Sequence, residues 1–394
     1  MQLFNRYVSP RGLTVFGCEI LLIFGSVAIA ARAHGAGGDV ASDIWKIALV
    51  TGLCQICFYY NDLYDLTVVH SNRELLIRLL QAAGAASILV ALLYLVIPSI
   101  AIGNGIFVSS LVIFLLAIIA WRLLFNRLAY SANLEERVLV VGLADRRGRL
   151  PVSELLEAKL SGVYVEDATT MYERLTGKLL IDDLKPSTLI FSDGFVISRW
   201  TRFQKRAIDV VLATVGVILS APLALLTALA VKLESDGPVL YGQVRVGEGG
   251  RHFTVWKFRS MRQDAEKGGR PVWATDQDDR VTRVGRFIRK TRLDELPQFW
   301  NVLRGDMSFV GPRPERPFFV EQLAKEIPYY QQRHAVKPGL TGWAQVKYQY
   351  GSSIEDAMEK LRYDLYYIKH LSIALDVSIV FDTVKVILFG KGAK

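Results

Sequence analysis

Cysteine is scarce in this sequence. The chain has only three, Cys18, Cys54 and Cys57, and each lies within an apolar stretch. This pattern excludes a disulfide framework, because such frameworks use paired cysteines in small exported domains. The spacing of Cys54-Gln-Ile-Cys57 is typical of redox or zinc pairs, but a structural zinc site requires two further ligands that the neighbouring sequence lacks. We therefore interpret this pair as membrane packing.

The chain also lacks a tail rich in lysine or arginine. Its net charge of +9 would suit a nucleic-acid partner, but the basic residues are spread over a chain of which 51% is hydrophobic. Mean hydropathy is positive as well, and ordinary soluble enzymes rarely combine these properties. The composition predicts a membrane protein whose partners are the lipid bilayer and phosphorylated substrates, with no nucleic acid.

Four long apolar runs occupy the first third of the chain. Each is close to the roughly 20 helical residues that cross a hydrocarbon core. The runs are Leu13–Ala31, Ile44–Tyr60, Leu79–Ile97 and Ile106–Phe125. Basic residues precede the first run and follow the second and fourth, which predicts that these ends face the cytoplasm. The sequence thus predicts a four-helix transmembrane region over residues 1–132, with the N-terminus and the downstream chain on the cytoplasmic side.

Residues 133–198 are predicted to form a small α/β domain. The pattern indicates, in order, a strand, a helix, a strand and a helix, at Val138–Val141, Val152–Leu160, Gly162–Val165 and Met171–Leu175. A dinucleotide-binding unit requires a glycine-rich turn after its first strand, and Gly142-Leu-Ala-Asp145-Arg-Arg-Gly148 lacks that spacing. We interpret the segment as a truncated, nucleotide-fold-like linker that does not bind a nucleotide.

A fifth apolar run covers Ala207–Val231. Pro222 lies past its middle, where proline removes a backbone donor and breaks or kinks a helix, and Ser220 can satisfy a freed carbonyl. We predict a re-entrant hairpin, a helix, a break and a second helix, that enters the cytoplasmic leaflet and returns. The alternative is a kinked fifth span, which would place the following domain outside the cell.

Basic residues concentrate in Tyr241–Arg316, which has sixteen Lys or Arg and ten Asp or Glu. The excess predicts a polyanion site, with a solvated basic face as the alternative. Within this stretch Asp294 and Glu295 are adjacent, and Pro297 suits the first turn of a helix. Capping of that helix would explain one carboxylate. Attack on a nucleotide-sugar diphosphate would use both, because it requires a nucleophile, a divalent cation and fixed cations around the phosphoryl group.

Six motifs follow one another in the last 140 or so residues of the chain. They are Lys257-Phe-Arg259-Ser-Met261, Asp279-Arg280-Val-Thr-Arg283-Val-Gly285-Arg286, Leu293-Asp294-Glu295-Leu-Pro297-Gln298, Gly311-Pro-Arg313-Pro314, Lys337-Pro-Gly339-Leu-Thr341-Gly-Trp343-Ala-Gln345 and Tyr363-Asp364-Leu-Tyr366-Tyr367. In these motifs the chain resembles the bacterial sugar transferase family, the polyprenyl-phosphate phosphoglycosyl transferases. The resemblance covers roughly Phe203–Lys394, and the front end is similar to the large monotopic members of the exopolysaccharide branch.

The resemblance implies a mainly α-helical catalytic domain over residues 199–394, in the cytoplasm at the bacterial inner membrane. It implies transfer of a sugar-1-phosphate from a UDP-sugar to undecaprenyl phosphate, with release of UMP, as the initiating step of exopolysaccharide or related glycan assembly. A covalent phosphosugar–aspartate intermediate is part of that expectation. The implied cofactor is Mg²⁺, with Mn²⁺ as the alternative. A homodimer and other membrane proteins of polysaccharide assembly are further partners to test.

The resemblance also implies roles for individual residues. Asp294 would be the nucleophile, and Glu295 its partner in binding magnesium or in deprotonating the lipid phosphate. Arg313 and Arg289 would bind phosphate. The other candidates for substrate binding are Lys257, Arg259 and Arg280.

Two features depart from the family pattern. Many relatives have Ser-Pro at the hairpin break, whereas this chain has Ser220-Ala221-Pro222. The larger relatives usually have a fuller middle domain as well. The break is therefore expected with altered spacing, and no regulatory role is assigned to the middle domain.

Two other functions stay open on the sequence. A cation-dependent glycosyltransferase would use Asp276-Gln-Asp278 as its metal motif and would release UDP instead of UMP. A non-enzymatic scaffold of polysaccharide assembly would need neither Asp294 nor Glu295.

Overall fold

The computed structural model describes residues 2–3, 6–7, 10–33, 40–61, 63, 72–100, 106–131, 138–141, 152–161, 163–181, 194–262, 280–348, 351 and 353–389. The chain divides into two compact units. One comprises Met1–Leu3 and Tyr7–Arg137, and the other comprises Phe4–Arg6 and Val138–Lys394.

Four helices make up most of the first unit. The elements in this part of the chain are the strands β1 (Gln2–Leu3) and β2 (Arg6–Tyr7), the helices α1 (Pro10–Ala33), α2 (Val40–Tyr60), α3 (Asn72–Val96) and α4 (Ile106–Ser131), and a 3₁₀ turn at Pro98–Ile100. Each predicted apolar run coincides with one helix. By length and composition Leu75–Val96 of α3 can cross a membrane, whereas the apolar stretches Thr14–Ala30, Ile44–Tyr60 and Ser109–Arg122 are shorter. Four crossings therefore stay a prediction.

A buried ion pair joins α1 to α4. Arg122 Nε donates to Glu19 Oε1 at 2.7 Å, and Arg122 Nη1 donates to the carbonyl of Leu63 at 3.0 Å. Both charged side chains are at most 4% exposed, so each compensates a charge that would be unfavourable to bury alone.

Cys54 lies among apolar side chains. It packs against two clusters of buried apolar residues in the first unit, one around Phe58 and one around Val50, which agrees with a packing role.

The Val138–Lys394 part of the second unit begins with a strand–helix–strand motif. Strand β3 (Val138–Val141), helix α5 (Val152–Leu160), strand β4 (Tyr164–Asp167) and helix α6 (Ala168–Thr176) follow in the predicted order. Strands β3 and β4 pair in parallel, because α5 supplies the crossover that a parallel pair requires. The second strand begins two residues later than the predicted start at Gly162. The loop Gly142–Gly148, whose glycine spacing predicts no nucleotide binding, lies outside the described residues.

Helix α7 (Arg199–Glu234) contains the fifth apolar run. Ser198 caps its N-terminus, since Ser198 Oγ accepts a hydrogen bond from Thr201 N at 3.0 Å. The helix is continuous through Ser220 and Pro222, so the predicted break at these residues is not confirmed. By length and composition α7 can cross a membrane.

Both halves of α7 nevertheless pack against the same domain. In its first half Ala213 packs against Val302 and Met307, and near its end Val231 packs against Phe258 and Ile288. From residue 213 to residue 231 an α-helix rises about 27 Å, which approaches the ~30 Å thickness of the hydrocarbon core. A straight crossing would place these two contacts on opposite sides of the bilayer. The packing therefore favours a helix whose ends stay on one side.

The rest of the second unit alternates short strands and helices. Its elements are β5 (Leu240–Val246), β6 (His252–Phe258), α8 (Arg283–Lys290), α9 (Gln298–Arg304), β7 (Ser308–Val310), α10 (Pro317–Glu326), β8 (Gly339–Thr341), α11 (Trp343–Lys347), α12 (Ile354–Lys369) and α13 (Ile373–Phe389), with 3₁₀ turns at Glu248–Gly250, Leu293–Glu295 and Tyr330–Ala335. Strands β5 and β6 form an antiparallel hairpin, and β7 pairs in parallel with β8. Leu365, Tyr367 and Ile379 of α12 and α13 are buried in the main apolar core.

The topology of α7 can be tested with one new cysteine. In a variant with Cys18, Cys54 and Cys57 changed to serine, Asp236→Cys adds a thiol at an exposed position just after α7. We expect a membrane-impermeant maleimide to label it only after the cytoplasmic face is opened. Labelling of intact cells from the periplasm would instead establish the kinked fifth span.

Candidate active site

The two adjacent carboxylates lie in a tight 3₁₀ turn, Leu293–Glu295, immediately before α9. The turn begins at Arg292, whose φ of 57° is in the left-handed region that residues with a side chain rarely adopt. Pro297 is the N-cap residue of α9, and no side chain caps that helix. Capping, the alternative left open by the sequence, is therefore not what Asp294 and Glu295 do.

Glu295 accepts two charged hydrogen bonds on one oxygen. Lys257 Nζ and Arg313 Nη2 each lie 2.9 Å from Glu295 Oε1. Burial by itself would raise the pKa of Glu295, but the two cations outweigh it and hold that pKa far below its ordinary value. The contacts thus favour the ionised form of Glu295, with two cations held beside it, and this arrangement suits an electrostatic role.

Asp294 is placed differently from its neighbour. Its carboxylate accepts no hydrogen bond from any described residue, and its nearest cation is Lys257, with Nζ 4.0 Å from Asp294 Oδ2. The residue is only 8% exposed. Burial raises the pKa of Asp294, Lys257 opposes that shift and the Glu295 charge adds to it. A shielded carboxylate with unoccupied lone pairs has the properties of a nucleophile.

Of the other three predicted cations, Arg289 acts on Asp294, whereas Arg259 and Arg280 make other contacts. Arg289, in the last turn of α8, adds a favourable electrostatic contribution at Asp294. Arg259 instead donates to the carbonyls of Ser235 and Asp236, each at 2.7 Å, and so holds the chain that leaves α7. Arg280 accepts a backbone hydrogen bond from Arg262 at 3.0 Å. Substrate binding by Arg259 and Arg280 stays a prediction.

Arg333, for which the sequence predicts no role at this site, holds the loop that carries Arg313. Arg333 Nη2 donates to the Arg313 carbonyl at 3.0 Å and to Asp364 Oδ2 at 2.8 Å, and Arg333 Nη1 donates to Tyr330 Oη at 2.7 Å. The side chains of Arg333 and Asp364 are 6% and 2% exposed. Asp364 belongs to the Tyr363–Tyr367 motif, but spacing alone carries no sign of this pairing.

A second buried network ties α7 to strand β7, just before Arg313. Asp209 Oδ1 accepts hydrogen bonds from Ser308 Oγ at 3.0 Å and from Phe309 N at 2.8 Å. Lys205 Nζ donates to the Val310 carbonyl at 2.9 Å and to Asp376 at 2.7 Å. The polar residues at the start of α7 therefore fix the strand that leads into the phosphate-binding candidate.

The oxygen donors at this site suit a hard cation shared with a substrate. Among the described residues, no group of three or more His, Cys, Asp or Glu side chains is arranged to hold a metal ion. Mg²⁺ is commonly bound through one or two carboxylates together with substrate phosphates. Asp294, whose carboxylate accepts no hydrogen bond from the residues that the structure describes, and Glu295 fit that donor set.

Comparison with known proteins places the chain in a family. Residues 200–390 match the family described as bacterial sugar transferase. The chain is 48% identical over 240 residues to the UDP-N-acetylgalactosamine-undecaprenyl-phosphate N-acetylgalactosaminephosphotransferase of Aeromonas hydrophila, covering 61% of this chain and 56% of that relative. It is 48% identical over 190 residues to the UDP-glucose:undecaprenyl-phosphate glucose-1-phosphate transferase of Escherichia coli K12, covering 48% of this chain and 41% of that relative.

A third relative is matched over nearly its whole length. The exopolysaccharide production protein PSS of Rhizobium leguminosarum is 41% identical over 188 residues, which are 46% of this chain and 92% of that relative. The chain belongs to the bacterial sugar transferase family. It spans about half the length of the Aeromonas and Escherichia relatives.

The buried pair behind Arg313 predicts a large loss of stability. Asp364→Ala would leave the Arg333 guanidinium buried without its anion, so we expect a decrease of about 3–5 kcal/mol in the free energy of unfolding. Asp306→Ala is the matched control, because its partner Arg304 is 3.4 Å away and 56% exposed; its effect should stay within about 1 kcal/mol. Denaturant unfolding of the purified proteins measures both. Similar losses for the two variants would contradict the importance of the Arg333–Asp364 pair.

Proposed function

We propose that this protein transfers a sugar-1-phosphate from a UDP-sugar to undecaprenyl phosphate and releases UMP, as the initiating step of exopolysaccharide or related glycan assembly. The observation that carries the proposal is the contrast between two adjacent carboxylates. Asp294 accepts no hydrogen bond from the described residues, while Glu295 is bound by Lys257 and Arg313 at 2.9 Å each. The relatives that are named as undecaprenyl-phosphate sugar phosphotransferases support the same reaction class.

In the first half-reaction Asp294 attacks the sugar-bearing phosphorus of the UDP-sugar. A bond forms between an Asp294 carboxylate oxygen and that phosphorus. The bond from the phosphorus to the bridging oxygen of the diphosphate breaks, and UMP leaves with that oxygen and the electron pair. The product is an acyl phosphate in which the sugar-1-phosphate is attached to Asp294.

In the second half-reaction an oxygen of undecaprenyl phosphate attacks the same phosphorus. The bond to Asp294 breaks, its carboxylate is restored, and undecaprenyl diphosphate-sugar is formed. Division into two steps lets a soluble donor and a membrane-bound acceptor use one aspartate in turn. It also means that the two substrates need not occupy the site together.

The cations around Asp294 stabilise the transferring phosphoryl group. Arg313 presents a planar guanidinium that can bind two phosphate oxygens at once, and Lys257 lies between both carboxylates. Asp294 and Glu295 would hold Mg²⁺, with Mn²⁺ as the alternative, and the ion would offset the charge of the diphosphate. We assign Glu295 to this electrostatic role in preference to that of a base.

The proposed setting is the cytoplasmic face of the bacterial inner membrane. UDP-sugars are cytoplasmic metabolites, so the domain that follows α7 has to lie on that side. The contacts of both halves of α7 with one domain support this arrangement. Multiple crossings by α1 to α4 and a re-entrant course for α7 complete the proposed topology.

The leaving nucleotide separates this proposal from a glycosyltransferase. A glycosyltransferase would use Asp276-Gln-Asp278, which lies outside the described residues, and would release UDP. Membranes that contain the protein, undecaprenyl phosphate and a panel of UDP-sugars should release UMP with at least one of them. Release of UDP alone, or of neither nucleotide, would overturn the proposal.

Asp294→Asn tests the covalent step. The amide cannot form the acyl phosphate, so UMP release should decrease on the order of 10³-fold or more. With a donor labelled in the sugar and no lipid acceptor, the unmodified protein should retain label after denaturation, and Asp294→Asn should retain none. Asp306→Asn, on a partly exposed carboxylate outside the site, is the matched control and should behave like the unmodified protein. Equal turnover by Asp294→Asn would rule out the aspartyl intermediate.

A further inference from the structure

Asn301 is a fully buried polar residue in α9 whose side chain completes the edge of another element. Asn301 Oδ1 accepts a hydrogen bond from Trp256 N at 3.0 Å, and Asn301 Nδ2 donates to the Thr254 carbonyl at 2.7 Å. Its relative exposure is 0%. Strand β6 pairs with β5 on its other side. The amide of Asn301 therefore satisfies the outer edge of β6 as the peptide of a third strand would.

The main chain of Asn301 makes a second set of contacts. Its carbonyl oxygen accepts hydrogen bonds from Gly305 N, Asp306 N and Met307 N at 3.2, 3.1 and 3.2 Å. These bonds close the turn that ends α9 and leads into β7, and Gly305 adopts a φ of 88° there. One residue thus connects β6, α9 and the start of β7.

Those three elements carry the charged groups of the candidate active site. Lys257 directly follows Trp256 on β6, Asp294 and Glu295 precede α9, and Arg313 follows β7. Lysine is a flexible point charge on a four-carbon stem, so the position of its ammonium group depends on where the strand is held. The only side-chain hydrogen bonds that reach the backbone of β6 from α9, among the described residues, are the two made by Asn301.

We propose that Asn301 is a positioning residue that fixes Lys257 relative to Asp294 and Glu295. The inference rests on the proposed phosphoryl transfer and adds a residue to it that touches neither substrate. Without the amide, β6 and α9 would still pack through Val255 and Val302, and Lys257 could still reach Glu295 through its flexible stem. Among the described residues, however, no side-chain hydrogen bond from α9 to the β6 backbone would remain to set the register between the two elements. A displacement of about 1 Å at a catalytic group can lower the rate on the order of 10²-fold.

The first experiment compares two neighbouring buried residues of α9. Asn301→Ala removes both hydrogen bonds to β6, whereas Val302→Ala removes only apolar packing at a residue that is equally buried. Below the unfolding temperature of both variants, and with a UDP-sugar from which the unmodified protein releases UMP, we expect kcat to decrease on the order of 10²-fold for Asn301→Ala. For Val302→Ala kcat should stay within about 2-fold. If the alanine variant does not fold, Asn301→Asp replaces it in the comparison. This substitution is isosteric and keeps the acceptor for Trp256 N but loses the donor to the Thr254 carbonyl, so it should lower kcat as well.

The second experiment asks whether Asn301 acts through Lys257. Binding of UDP in the presence of Mg²⁺ is measured by calorimetry for the unmodified protein, Asn301→Ala, Lys257→Met and the double variant. A positioning role predicts that Asn301→Ala raises the dissociation constant for UDP in the otherwise unmodified protein, but by less than about 2-fold when Lys257→Met is already present. A merely structural role predicts that the fold-changes of the two single variants multiply in the double variant.

Failure of the positioning role of Asn301 and failure of the transferase function give different results. If the unmodified protein binds UDP and releases UMP, then equal loss of kcat in the alanine variants of Asn301 and Val302, or multiplying effects on UDP binding, would show that Asn301 only stabilises the fold. If the unmodified protein neither binds UDP nor releases UMP, the proposed transferase function is itself wrong.

Discussion

One oxygen of Glu295, shared between Lys257 and Arg313, is the contact on which the site depends. The three residues come from segments far apart in the sequence, namely strand β6, the turn before α9 and the loop after β7. Charge-assisted hydrogen bonds of this kind are about twice as strong as neutral ones. In a buried setting the loss of one partner would leave an unpaired charge, so removal of any one of the three side chains should weaken the attachment of all three segments. Asp294 owes its position beside two cations to this contact, although no described residue donates a hydrogen bond to its carboxylate.

The segments that carry Lys257 and Arg313 are themselves held by buried polar side chains. Arg333 holds the carbonyl of Arg313, Asp209 holds the strand that precedes it, and Asn301 holds the strand that carries Lys257. Each of these groups is buried and bonded to backbone atoms, and each therefore restricts where a charge can lie. Preorganised charges stabilise a transition state without rearranging during the reaction. The supporting residues consequently belong to the description of the site as much as the carboxylates do.

How far the sequence predicts this arrangement depends on the kind of contact. Lys257, Asp294, Glu295 and Arg313 are brought together as the motifs suggested, because charged side chains at a polyanion site are few and chemically distinctive. Asn301 was missed, since an asparagine that bonds to a strand edge 45 residues away leaves no periodic or compositional signal. For Arg259 the resemblance predicts substrate binding, and the structure shows in addition that its guanidinium donates to backbone carbonyls. The sequence shows which side chains are charged, but it does not show which atoms those side chains contact.

For the helices, too, the sequence predicts local features better than contacts between distant residues. The apolar runs located the helices well, because long hydrophobic stretches have few alternatives to a helix in lipid. Pro222 suggested an interruption, but the helix continues through it, and its packing at Ala213 and at Val231 bears on topology more directly than the proline does. That information lies in contacts between distant parts of the chain, which a local pattern does not contain.

Charge balance gives a physical reason why a divalent ion belongs in the proposed reaction. Lys257 and Arg313 contribute two positive charges, and ionised Asp294 and Glu295 contribute two negative ones, so the four groups are together neutral. A UDP-sugar brings two further negative charges on its diphosphate, and Asp294 has to approach one of those phosphorus atoms as an anion. Arg289 supplies one compensating charge from the end of α8. Held by Asp294 and Glu295, one Mg²⁺ would more than offset the single negative charge that remains, and it would weaken the repulsion between the nucleophile and the substrate.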